Sequence, residues 1–305
     1  MCEVFTRSLN SAALANLKDL RKVTFVDNSP PQESNLVQGV DRDDYTGDEE
    51  YLPLLLTPSL CSLEICADEN ECGQKFLPAF FNSTPNLHRI CLDTIDVEKL
   101  SKQWLKLRNA LFSPLKSMEG HPSLKELVLR NVRFRTSADT FVQMFDFLSL
   151  SSLTLQWCAQ VIGLFDHLLR IQANQTCQWK HLAVNLGTID TFERFESVIS
   201  MLTACPTLSS IHITSIDLSK DVMIQVWPQL LQFCRENENI ISFSIHFRHS
   251  DHRPNDFGED QFEEICGSLP RLRQLGIQFS EYMLPWASPQ KVYVSLGLTN
   301  SVPSR

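Results

Sequence analysis

Apolar residues along this chain recur with one spacing, L-x-x-L-x-L, and five copies carry a proline two residues before the first aliphatic position. They are Pro58-Ser-Leu60-x-x-Leu63-x-Ile65, Pro85-Asn-Leu87-x-x-Ile90-x-Leu92, Pro122-Ser-Leu124-x-x-Leu127-x-Leu129, Pro206-Thr-Leu208-x-x-Ile211-x-Ile213 and Pro270-Arg-Leu272-x-x-Leu275-x-Ile277. Weaker copies read Leu20-x-x-Val23-x-Phe25, Leu150-x-x-Leu153-x-Leu155, Trp179-x-x-Leu182-x-Val184 and Ile240-x-x-Phe243-x-Ile245. The nine first positions are 20, 60, 87, 124, 150, 179, 208, 240 and 272. Self-similarity at some tens of residues is the mark of a repeat array, in which each unit buries its apolar face on its neighbours.

Within a copy, apolar and polar residues alternate, which predicts a short strand with one buried face. Three copies resume the alternation after a two-residue break, as Leu92-x-x-Ile95-x-Val97, Leu129-x-x-Val132-x-Phe134 and Ile213-x-x-Ile216-x-Leu218. Between strands the period lengthens. Phe192, Phe195, Val198, Ile199 and Leu202 make a helical stripe, with Asp190 and Glu193 placed like a capping box. Phe141, Met144, Phe145 and Leu148 form a second stripe, and Phe165, Leu168, Leu169 and Gln172 a third with one polar lapse. Residues 222–234 are apolar on one side, and Pro228 is expected to end or kink the first turn there. The proline before each strand is expected to close the preceding helix.

The fold class that follows is α/β, an irregular solenoid of about nine strand–helix repeats with a parallel sheet. Four segments are expected: a partial repeat over 1–26, an acidic flexible insertion over 27–50, the solenoid over 51–285 and a tail over 286–305. The insertion holds eight acids against Arg42, with Pro30-Pro31 and little apolar content.

Composition narrows the function. The 305 residues are 43% hydrophobic and 21% charged, as in ordinary folded proteins. A net charge of −9, from 27 basic and 36 acidic side chains, argues against nucleic acid or an anionic membrane as the main partner. The start, Met1-Cys-Glu-Val-Phe-Thr-Arg7, lacks a basic region followed by a long apolar run. The densest apolar stretch, Leu52-Pro-Leu-Leu-Leu56, is far short of the roughly 20 residues of a membrane span. An intracellular protein, cytoplasmic or nuclear, is expected, with its ten cysteines as thiols and small fillers. In that setting the sequons Asn82-Ser-Thr84 and Asn174-Gln-Thr176 carry no weight.

Strand–helix units of this kind resemble leucine-rich repeats over residues 9–279. The long, irregular, proline-led form is most similar to the repeat regions of fungal F-box proteins, the substrate receptors of cullin-RING ubiquitin ligases. The resemblance implies a horseshoe whose strands line the concave face, and a protein or peptide partner held there. Two departures matter. Regular repeats place Asn or Cys at the ninth position, which among the eight copies from Leu60 onward only Cys158 matches. No F-box motif stands before the first repeat, so contact with a ligase adaptor is expected only if such a module is encoded upstream. The alternative is a leucine-rich scaffold or inhibitor unconnected with ubiquitin.

In such a horseshoe, positions three, five and seven of each copy face the partner. Position three contributes Arg89, Glu126 and His181; position five contributes Glu64 and His212. Position seven contributes Cys66, Asp93, Arg130, Gln156, Asn185, Thr214, His246 and Gln278. Arg130, Arg133 and Arg135 cluster where an acidic segment could sit, the insertion being one candidate. Trp157 follows a strand and could anchor a partner at the rim, whereas the other tryptophans are expected to fill gaps between repeats.

No catalytic residue, cofactor or metal is expected. His246, His249 and His252, near Asp251 and Asp256, have ligand chemistry but span a predicted strand and a proline-containing loop. Cys61, Cys66 and Cys72 lack a C-x-x-C pair, and no nucleophile elbow or Gly-rich phosphate loop is present.

Overall fold

The computed structural model describes residues 4–5, 22–26, 60–66, 86–93, 124–134, 142, 145–172, 176–189, 191–218, 220–247, 259–277 and 293–295. The chain divides into two compact units, Met1–Asp146 and Phe147–Arg305. Among the described residues the first unit shows five strands: β1 (Val4–Phe5), β2 (Lys22–Val26), β3 (Ser62–Cys66), β4 (Arg89–Asp93) and β5 (Glu126–Arg130). Each pairs with the next in parallel. The second unit has β6 (Ser152–Gln156), β7 (His181–Ile189), β8 (Ser210–Leu218), β9 (Ser242–Phe247) and β10 (Gln274–Ile277), again in parallel succession. A last strand, β11 (Tyr293–Ser295), pairs antiparallel with β10, within the segment read from the sequence as a tail.

In every one of the nine copies a strand opens at the third position. The register sets like against like. Leu63, Ile90 and Leu127 form one row, and Leu153, Leu182, Ile211, Phe243 and Leu275 another. Just before the strands a second pattern repeats. The second-position carbonyl of one copy accepts from both the second- and third-position N–H groups of the next, at 2.8–3.1 Å. The acceptors are Cys61 and His88 in the first unit, and Ser151, Lys180, Ser209 and Ile241 in the second. A carbonyl has two lone pairs, so one oxygen can fix both amides and with them the phase of the next strand.

Among the described residues, four α-helices separate the strands of the second unit: α1 (Val161–Gln172), α2 (Phe192–Thr203), α3 (Lys220–Glu236) and α4 (Glu259–Ser268). Consecutive helices pack on one another. Their apolar stripes and the even positions of the strands make the core, where Leu164, Phe165, Phe195, Val198, Ile213 and Ile245 are fully buried. Trp179 takes the first position that Leu or Ile holds in most copies. Its ring lies 6.4 Å from that of Phe165, and its Nε1 donates to the Phe147 carbonyl at 2.6 Å. Burying an indole is favourable only when that N–H finds an acceptor.

Several local expectations change. The N-cap of α2 is Thr191, not Asp190, and it makes no side-chain capping bond, so the capping box does not form. Glu193 still lies in the first turn, where its charge suits the helix dipole. Pro228 does not end its helix: α3 runs through it for 17 residues. Pro228 and Ile224, four residues earlier, are both exposed, so the carbonyl left without an amide partner lies on a side open to solvent.

Two of the repeat prolines, Pro206 and Pro270, lie among the described residues, each after the end of a helix and inside the turn that leads to the next strand. α2 stops at Thr203, and Pro206 is the second residue of a turn closed by Leu208 N–H on the Cys205 carbonyl at 3.2 Å. Pro270 sits the same way between Leu269 and Leu272, which bond at 3.1 Å. Proline suits this place because its φ is already set for the turn. Glu238 occupies it in the turn from Asn237 to Ile240, showing that the turn tolerates other residues.

The end of the strand varies. At the eighth position Asn131 and Trp157 have φ of 53° and 51°, and the ninth-position Val132 and Cys158 then turn inward and are buried. Phe134 follows Val132 into the core, as its apolar spacing predicted. In β8 there is no break: the strand continues to Leu218 against β7, with the pairing shifted around Gly187. The stretch of 27–50, Ile95 and Val97 lie outside the described residues.

Candidate partner-binding face

Strand geometry sends positions three, five and seven to the face opposite the helix-packed core. In the first unit Glu64, Arg89, Asp93, Glu126 and Arg130 all stand there, each half-buried. Arg89 Nε donates to Glu126 Oε1 at 3.1 Å across one strand spacing, and its Nη1 reaches Ser62 Oγ at 3.4 Å. Arg130 Nη1 extends two strands over to Glu64 Oε1 at 3.5 Å. To do so it passes over β4, whose fifth-position Cys91 is fully buried. Asn131 Nδ2 donates to Asp93 Oδ1 at 2.8 Å. The charges of this face are thus largely spent on one another. Partly exposed pairs of this kind contribute about 0.2–1 kcal/mol each. Of the arginine cluster, Arg130 is directed to Glu64, Arg133 is exposed and Arg135 lies outside the described residues.

In the second unit the same positions carry no described carboxylate or guanidinium. Asn185, Thr214 and His246 are aligned in the seventh-position row, with Gln156 at the same position of β6. Gln156, Asn185 and Thr214 are half-buried. The fifth-position row runs Thr154, Ala183, His212, Ser244 and Gly276. His212 and His246 face each other with ring centroids 5.4 Å apart. Ser244 Oγ and His246 Nε2 are 2.8 Å apart, and both side chains are only 8% exposed. Gly276 makes room for them: a Cβ there would stand 2.5 Å from Ser244 Oγ. His246 is therefore packed into the sheet surface and offers little area to a partner. His181, at position three of β7, is exposed.

Trp157 directly follows Gln156 at the end of β6 and is 65% exposed. It combines an exposed large ring with a left-handed backbone, a conformation that asparagine accepts and bulky residues disfavour. Sequence reading places Trp157 at a strand end; the backbone conformation is visible only in three dimensions. The Ser244–His246–Gly276 arrangement was missed, although Gly276 in an otherwise side-chain-bearing row was a signal for close approach.

The side chain of Cys66, Gln278, His249 and His252 lie outside the described residues. Among the described residues no group of three or more His, Cys, Asp or Glu side chains converges as a metal site. Among them, too, no helix is long and apolar enough to cross a membrane. The chain matches no protein-family model, and no curated protein matches it with significance.

Proposed function

We propose that this chain is a protein-interaction module, an irregular leucine-rich horseshoe of about nine strand–helix repeats that holds a protein or peptide on its strand face. The observation that carries this reading is the row of uncharged, half-buried hydrogen-bonding side chains Gln156, Asn185 and Thr214, closed at one end by exposed Trp157. Amides and hydroxyls spaced at strand intervals offer donors and acceptors to an extended backbone, and a tryptophan supplies the apolar anchor typical of binding hot spots. The role that the repeat style suggests is substrate recognition within an F-box-type ubiquitin ligase receptor.

Affinity capture with the full chain tests both levels. Trp157→Asn keeps the fold, because asparagine accepts the left-handed backbone as Asn131 does, and it is expected to weaken capture of the partner about tenfold or more. Glu196→Lys, on the exposed side of α2, is expected to leave capture unchanged. Equal capture by wild type and Trp157→Asn would sink the binding face. Recovery of a ligase adaptor and cullin, together with an in-frame F-box upstream in the coding sequence, supports the receptor role. A partner captured without either supports a scaffold or inhibitor.

A further inference from the structure

Cys177 and Cys205 are both fully buried, and their Sγ atoms stand 2.6 Å apart. A disulfide bond is about 2.05 Å long, so closing it takes a shift of roughly half an ångström. Cys177 lies two residues before Trp179, the first position of its copy. Cys205 opens the turn that leads to Leu208, the first position of the next. One neighbouring bond joins the two segments independently of the sulfurs, and others fix each segment in its own surroundings. Thr207 Oγ1 donates to the Trp179 carbonyl at 2.7 Å, and Cys205 N–H donates to the Leu202 carbonyl at 3.1 Å. On the other side, Gln178 N–H donates to the Leu148 carbonyl at 2.9 Å. Two thiols fixed from both sides at this distance form a built cross-linking site.

We propose that Cys177 and Cys205 form an intramolecular disulfide that locks one complete strand–helix unit, β7 with α2, into a closed loop. The oxidant is a low-molecular-weight disulfide such as glutathione disulfide. One protein thiol loses its proton and attacks that disulfide, releasing one glutathione thiol and leaving a mixed disulfide. The second protein thiol, deprotonated in turn, displaces the remaining glutathione. Two protein S–H bonds are replaced by one S–S bond, and two electrons and two protons leave with two molecules of glutathione. Burial, and then the hydrogen bond and charge of Cys177, push the Cys205 thiol far above the ordinary thiol range. The folded chain therefore presents no Cys205 thiolate at neutral pH, and exchange proceeds while the turn at 205–208 is open, during folding or local opening.

The full chain is refolded with glutathione disulfide, or with excess dithiothreitol, and digested with trypsin without reduction. Cys177 falls in the peptide 171–180 and Cys205 in 195–220, each with a single cysteine. The oxidised sample is expected to give these two joined, two hydrogens lighter than their sum, and the reduced sample to give them apart. A loop of this length predicts a melting midpoint roughly 5–10 °C higher in the oxidised chain, an increase absent in Cys205→Ala. Glutathione adducts on both cysteines, or two peptides that stay separate and alkylatable after denaturation, would overturn the proposal. So would a joined peptide with no rise in the midpoint. The comparison of oxidised with reduced wild type stands even if Cys205→Ala fails to fold.

Discussion

The two sheet faces use the same frame for opposite chemistry. In the first unit the outward positions are charged, but Arg89 is tied to Glu126 and Arg130 to Glu64, so little net field leaves the surface. In the second the outward positions are uncharged amides, hydroxyls and histidines, with Trp157 exposed beside them. A count of charged residues would single out the first face as the place for a partner. The proposed binding face is the second. Charge already paired with its neighbour must be unpaired before a ligand can use it, whereas a neutral amide or hydroxyl, such as Thr214 Oγ1 on the Val184 carbonyl at 3.4 Å, can change partner without leaving a charge behind.

The largest way to disturb this contrast is to empty the core beneath the second face. Trp179→Ala removes a fully buried indole and its bond to the Phe147 carbonyl, for an expected loss of about 3–5 kcal/mol. Hydrogen exchange should show amide protection falling in β6 to β8 and holding in β3 to β5. Equal loss in both units would remove the distinction between two separately supported faces. Next comes Gly276→Ala, whose Cβ would displace the Ser244 hydroxyl from His246 at an expected cost of about 1–3 kcal/mol. A chemical-denaturation midpoint identical to wild type would show that the packed histidine is not held by this contact.

Alkaline pH gives a smaller effect, followed at Cys234 in the second unit. Burial pushes the Cys234 thiol up to about 12. Below about pH 8 the thiol is protonated in both folded and unfolded chains, and stability does not change on its account. Above that, the unfolded chain loses the proton first, so stability falls between about pH 8.5 and 12, by about 1–2 kcal/mol at pH 10. Denaturation at pH 8 and pH 10 should show this fall in the wild type and a reduced one in Cys234→Ala. A slope unchanged by the substitution would place its source elsewhere.

Smallest of all is the ion-paired face. Glu126→Gln is expected to cost less than about 1 kcal/mol, and the difference from wild type should shrink at high salt. A loss of several kcal/mol independent of salt would mean that the pairs are structural supports, not a surface that neutralises itself.

How much of this was legible beforehand depends on the range of each interaction. The spacing Leu182-x-Val184 or Ile211-x-Ile213 announces a strand and its buried side from five residues alone. The helical stripe through Phe195, Val198 and Leu202 is equally local, and all three are buried. Pro228 does not end α3, because its tolerance depends on which side of the helix faces solvent. The capping box at Asp190 failed because the helix starts one residue later than the pattern suggested. Trp157 was recognisable as a residue after a strand, but not as one held in a left-handed backbone.

By itself the sequence determined the repeat, the phase of each strand and which of its positions are apolar, because alternation along a strand is a property of neighbours in the chain. Tertiary structure alone decided that Arg130 answers Glu64 across an intervening strand, and that Cys205 meets Cys177. Those partners are 66 and 28 residues apart. Their meeting depends on the accumulated register of successive copies, here kept in step by one carbonyl that accepts two amides, and that bond leaves no trace in residue type because it is made by the backbone.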